Sequence, residues 1–136
     1  MSAADFKAEG NKHLQAGNYE GAIASYTKAI EIDPTNHVFF SNRSAAYLSK
    51  GLGTEALQDA EKVIEIKADW PKGYSRKGGA LHSLKRYDEA VEAYEAGLKV
   101  SPEDAGLKSG LEEVSKAMRP APGGGGPMGM GGLFSP

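Results

Sequence analysis

Tyr19-Glu20-Gly21-Ala22-Ile23-Ala24-Ser25-Tyr26-Thr27-Lys28-Ala29-Ile30-Glu31-Ile32-Asp33-Pro34 decides the fold, because the chain restates its pattern twice at steps of 34 residues. The echoes run from Gly53 to Ala68 and from Tyr87 to Pro102. Ala22, Ala56 and Ala90 form one column; Tyr26, Ala60 and Tyr94 another; Ile30, Ile64 and Leu98 a third; Ile32, Ile66 and Val100 a fourth. Within the stretch, Ala22, Ile23, Tyr26, Ala29 and Ile30 recur at helical spacing and make one apolar stripe. Ala56, Leu57, Ala60, Val63 and Ile64 repeat it, as do Ala90, Val91, Tyr94, Gly97 and Leu98. Asp33-Pro34 ends the helix, since proline lacks the donor and clashes with a further turn; Ala68 takes the proline's place in the second copy. Upstream, the same step relates Phe6, Phe40 and Tyr74, and Gly10, Ser44 and Gly78, so each copy opens with a second helix. One such hairpin cannot bury its apolar face alone; stacked neighbours can.

A 34-residue period with a small-residue column and a closing proline resembles the tetratricopeptide (TPR) repeat. The resemblance implies an all-α fold, a right-handed solenoid of three helix-turn-helix repeats spanning 3–36, 37–70 and 71–104. Ser2 and Asp5 read as a capping box at the first helix. Gly17-Asn18 marks the turn inside the first repeat and Gly51 with Gly53 the turn inside the second. Pro71 suits the first turn of a helix, where its missing N–H is harmless. Residues 105–118 carry Leu107, Leu111, Val114 and Met118 on one side and predict a capping helix, giving a domain over 1–118. Residues 119–136 are rich in Gly, Pro and Met and are expected to be a flexible linker. Leu133-Phe134-Ser135-Pro136 then reads as the first apolar residues of a following domain.

Composition narrows the function classes. The chain has 136 residues, a formal net charge of −2 and no cysteine. Near-neutral charge argues against a general nucleic-acid binder, and the lack of cysteine excludes disulfides, thiolate nucleophiles and cysteine-held zinc. No apolar run approaches the ~20 residues of a membrane span. Met1-Ser2-Ala3-Ala4-Asp5 has neither an apolar run nor a basic lead, so a cytoplasmic location is expected, with the nucleus as a second. His13, His37 and His82 are scattered without acidic partners at ligand spacing, so no metal or other cofactor is expected. No phosphate-binding glycine loop occurs.

Lys7 and Asn11 are four apart on one helix, and Lys72 and Arg76 are four apart on another, so each pair shares a face. Asn42 precedes Arg76 by 34 residues and therefore stands at the equivalent position one repeat earlier. If the first helix of each repeat lines a groove, these five side chains converge with no acidic residue among them. Cations neutralise carboxylates and amides orient them by donating hydrogen bonds. A peptide ending in aspartate offers a side-chain and a terminal carboxylate at one point, and the small Ala8, Ala45 and Gly79 leave room for its backbone. The competing reading takes the cations as solvated surface and the asparagines as bridges between helices.

Lys7-x-x-Gly10-Asn11, Asn36-His37-Val38-x-x-Ser41-Asn42-Arg43-Ser44-Ala45-Ala46-Tyr47 and Trp70-Pro71-Lys72-Gly73-Tyr74-Ser75-Arg76-Lys77 resemble the carboxylate-clamp TPR class. They are most similar to the first TPR module of the Hop (heat-shock organising protein) co-chaperones, over roughly residues 3–118. The resemblance implies that Lys7, Asn11, Asn42, Lys72 and Arg76 clamp the C-terminal Glu-Glu-Val-Asp of cytosolic heat-shock chaperones. It points mainly to the heat-shock protein 70 tail, with the heat-shock protein 90 tail second. Leu14, Ala45, Leu48 and His82 are candidates for a pocket that meets the peptide's side chains. The sequence departs from the pattern at Ala68 and at Leu52-Gly53, where the aromatic present at Tyr19 and Tyr87 is absent. The reading is an adaptor without enzymatic activity, membrane contact or nucleic-acid contact. Its rivals are a scaffold that packs partner helices with no need of a free carboxylate, and the targeting module of a larger enzyme.

Overall fold

The computed structural model describes residues 1–119, and the expected linker beyond Arg119 lies outside them. Seven helices follow one another: α1 (Ala3–Gln15), α2 (Tyr19–Ile32), α3 (His37–Ser49), α4 (Gly53–Ile66), α5 (Pro71–Ser83), α6 (Tyr87–Val100) and α7 (Ala105–Met118). The repeat is kept to the residue: α1, α3, α5 and α7 each begin 34 residues after the last, and so do α2, α4 and α6. The helix after the third repeat therefore stands where the first helix of a fourth would. Its Leu107 and Val114 are fully buried against the preceding hairpin, so it closes the end of the stack.

Local chemistry sets the helix ends. The Ser2 hydroxyl accepts from the Asp5 N–H while the Asp5 carboxylate accepts from the Ser2 N–H, completing the capping box. Asn18, Asn36 and Asp104 cap α2, α3 and α7 through their side-chain oxygens. Pro71 opens α5 at its first turn. Each turn within a hairpin has one left-handed residue: Gly17 (φ 79°), Gly51 (φ 85°) and, at the same step, Lys85 (φ 60°). The first two match the turn signals in the sequence; Lys85 carries no such signal and holds a conformation that a side chain disfavours.

Helices α1 with α2, α3 with α4 and α5 with α6 pack as antiparallel hairpins, and α3 also meets α5, as α5 meets α7. No comparable contact joins α2 to α4 or α4 to α6. The odd-numbered helices thus form the short inner arc of the solenoid and the even-numbered ones the outer arc.

Small residues make the hairpins tight. A Cβ on Gly10 would lie 2.5 Å from the Tyr26 ring, and one on Gly78 would lie 2.5 Å from the Tyr94 ring. Each tyrosine is a buried plate laid flat on glycine backbone. The two departures from the repeat pattern are compensated. The Tyr74 hydroxyl donates to the Ala68 carbonyl at 2.7 Å, tying down the loop that lacks a proline. At Gly53 a Cβ would come within 3.0 Å of Ser83 and Leu84, so side chains of the third repeat occupy the space of the missing aromatic.

Candidate functional site

Three inner helices present the polar set. Lys7 and Asn11 stand on α1, Asn42 on α3, and Lys72 and Arg76 on α5. The structure links them across helix boundaries. Asn42 Nδ2 donates to Asn11 Oδ1 at 3.4 Å, joining α3 to α1. The Tyr26 hydroxyl donates to the same oxygen at 2.5 Å. Arg76 Nε donates to Ser41 Oγ at 3.2 Å, joining α5 to α3. Ser41 is itself fully buried.

The electrostatics of this face differ from the rest of the surface. Among the described residues no carboxylate lies within 4.0 Å of Lys7, Lys72 or Arg76, whereas Arg43, Lys50, Lys77 and Arg86 each hold one. Arg76 is partly buried, and desolvation draws its pKa below the usual guanidinium value, an effect that the neighbouring Tyr26 hydroxyl opposes. Burial pushes the Tyr26 hydroxyl up, with Arg76 pulling the other way. A desolvated cation whose only direct partner is a neutral hydroxyl retains strong affinity for an anion. Lys72 lies over the indole of Trp70, 6.0 Å from its centroid, and the His37 ring meets that indole edge-on at 4.7 Å.

The four expected pocket residues divide. Leu14 packs beside the buried Ala22, Tyr26 and Ala46. Leu48 reaches toward α5, where a Cβ on Gly79 would be 3.5 Å from its Cδ2. Ala45 is partly buried on α3, between the positions of Asn42 and Leu48. His82 is set apart: it lies about 120° around α5 from Arg76, and its ring stacks edge-to-face on Tyr87 at 5.7 Å. It belongs to the turn of the third hairpin.

Reading the sequence missed Tyr26, Ser41 and Trp70 as supports of this face. Tyr26 looked like one member of an apolar column. Its hydroxyl has a partner only because Asn11 stands beside Gly10, and the Tyr94 copy has Gly79 in that place. Ser41 precedes Asn42 directly, and only the stacking of α5 on α3 discloses its role. A cavity of about 200 Å³ on another side of α5 is lined by Glu61, Tyr74, Lys77, Arg86, Glu89 and Glu92, among others. Its charges are spent on each other, with Lys77 3.7 Å from Glu61 and Arg86 2.8 Å from Glu89. No three potential metal ligands converge among the described residues. None of the described helices is long and apolar enough to cross a membrane.

Comparison with known proteins places the chain. The TPR repeat model matches residues 10–51 and the tetratricopeptide repeat model residues 71–104. The Hsp70-Hsp90 organizing protein of Triticum aestivum is 46% identical over 127 residues, which is 90% of this chain and 22% of that protein. The chain thus spans about a fifth of the length of the curated relatives it matches first. Among solved structures, the first TPR of Spaghetti (RPAP3) bound to the HSP90 peptide SRMEEVD superposes with a TM-score of 0.80 at 33% identity, covering 85% of this chain and 92% of that one. The second TPR domain of human RPAP3, in complex with the HSP70 peptide SGPTIEEVD, superposes with a TM-score of 0.79 at 30% identity, covering 83% and 94%. The chain belongs to the tetratricopeptide repeat family and is similar to the TPR modules of Hsp70–Hsp90 organising proteins.

Proposed function

We propose that this chain is a co-chaperone adaptor module whose inner face holds the free C-terminus of a heat-shock protein tail ending in Glu-Glu-Val-Asp. Lys7, Asn11, Asn42, Lys72 and Arg76 form the clamp. The single observation that carries this reading is Arg76, a partly buried guanidinium that meets a serine hydroxyl and no carboxylate among the described residues. A peptide ending in aspartate supplies two carboxylates together, enough to neutralise Arg76 and Lys72 while the asparagine amides donate to the remaining lone pairs. Leu14, Ala45 and Leu48 flank the polar set and would meet the aliphatic residue before the aspartate. The names of the similar proteins support a heat-shock protein 70 tail as ligand, with the heat-shock protein 90 tail as the second candidate. The role is that of a cytoplasmic adaptor; nothing in the proposed site performs a reaction.

Arg76→Ala tests the reading. By fluorescence anisotropy with a labelled tail peptide, the variant should bind at least about tenfold more weakly, while circular dichroism shows unchanged helicity. Wild-type affinity in a folded Arg76→Ala variant would remove the clamp as the explanation.

A further inference from the structure

Asn11 Oδ1 has two donors, the Tyr26 hydroxyl at 2.5 Å and Asn42 Nδ2 at 3.4 Å. A carboxamide oxygen has two lone pairs, so the protein itself consumes both. What Asn11 has left to offer the groove is its NH₂ group. The hydroxyl that enforces this is itself oriented. The Tyr26 ring is fully buried and laid on Gly10, so the hydroxyl cannot move away. It also lies in the field of the Arg76 guanidinium. A nearby cation attracts the oxygen lone pairs and turns the hydroxyl proton away, which is toward Asn11.

We propose that Tyr26 is a positioning residue that locks the Asn11 carboxamide as a pure donor, and thereby makes the groove discriminate a terminal carboxylate from a terminal amide. The inference rests on the clamp reading above and adds the origin of its selectivity. A terminal carboxylate meets the Asn11 NH₂ with a lone pair. A terminal amide can meet it with an N–H, and opposed donors leave both unpaired. A free asparagine would turn its side-chain amide by half a rotation and offer the oxygen instead. Held by Tyr26, Asn11 cannot.

The third repeat supplies an internal control. Tyr94 packs on Gly78 as Tyr26 packs on Gly10, but the counterpart of Asn11 is Gly79. The Tyr94 hydroxyl accordingly has no side-chain partner among the described residues.

The test is a double-mutant cycle with two ligands. Calorimetry gives Kd for a peptide ending in Glu-Glu-Val-Asp, as free acid and as C-terminal amide. The proteins are the wild type, Tyr26→Phe, Asn11→Ala, the double variant and Tyr94→Phe. Phenylalanine keeps the ring that fills the space over Gly10, and melting curves confirm that each variant is folded. Tyr26→Phe should weaken the free acid by about three- to tenfold, the worth of one oriented hydrogen bond. Its affinity for the amide should be unchanged or improved, so the ratio of the two falls. In the Asn11→Ala background Tyr26→Phe should have no further effect, whereas a merely structural loss would add. Tyr94→Phe should bind as the wild type does. A discriminating wild type with an equally discriminating Tyr26→Phe, or additive losses in the double variant, would overturn the role of Tyr26 alone. A wild type that binds both peptides equally would overturn the clamp and the inference together.

Discussion

Arg43 holds Asp59 through two hydrogen bonds of 2.8 Å, Nε to Oδ2 and Nη2 to Oδ1. The pair joins α3 to α4, and Arg43 Nη1 adds a 3.1 Å bond to Thr27 on α2. Arg76, one helix along, has no such partner among the described residues. The two arginines divide the work: one ties repeats together and the other faces the groove. Asp59→Ala leaves the Arg43 charge largely buried and unpaired, so it should cost about 3 kcal/mol in urea unfolding. The Kd of the folded protein for a tail peptide should not change, since Asp59 lies away from the five clamp residues.

Lys85 is the only non-glycine residue with positive φ among those described, at the step where the other two hairpins have Gly17 and Gly51. Left-handed backbone costs a residue with a Cβ on the order of 1 kcal/mol. Lys85→Gly should therefore raise the unfolding free energy by about that much, even though it deletes a side chain. Gly17→Ala and Gly51→Ala should lower it by a similar amount, because a Cβ at either place meets nothing within 4 Å and the effect is purely conformational. Chemical denaturation of the three variants checks the sign at each turn.

Burial raises the pKa of Tyr26 and Tyr94 above the ordinary 10.0. The folded state thus favours their protonated forms more than the unfolded state does. The corresponding stability is fully present below pH 10 and is lost as pH rises through the higher folded values. Spectrophotometric titration at about 295 nm should find two of the six tyrosines ionising late and together with loss of helicity. Tyr26→Phe and Tyr94→Phe should each remove one late step.

Trp70 is the single tryptophan, and Lys72 lies over its ring. An anion that draws Lys72 into an ion pair changes the field at the indole. Saturable change of intrinsic emission is expected on adding a free-acid tail peptide. In Lys72→Ala the emission change should shrink and its midpoint move to higher peptide concentration.

How much was legible in the sequence depended on whether a residue's role was local or relational. Helix starts follow from residues within one turn, so Ser2, Pro71 and Asp104 could be read directly. The 34-residue step set which helices are equivalent, and that placed Asn42 one repeat from Arg76. What the step cannot show is which cation has a carboxylate beside it. Arg43 and Arg76 look alike in sequence, and only the approach of α4 to α3 assigns Asp59 to the first. The hydroxyls of Tyr26 and Ser41 were invisible for the same reason: each acts on a residue of another helix. His82 shared its spacing with the pocket candidates, yet the Tyr87 ring five residues on claims it. Lys85 carried no turn signal because it is held left-handed by the packing of its hairpin rather than by its own preference.

The most direct test of the central claim is calorimetric titration of the wild-type chain with a peptide ending in Glu-Glu-Val-Asp, as free acid and as C-terminal amide. The clamp predicts binding of the free acid with Kd on the order of micromolar, weakened by added salt, and loss of most of that affinity on amidation. Equal affinity for the two peptides, or no binding of either, would contradict it.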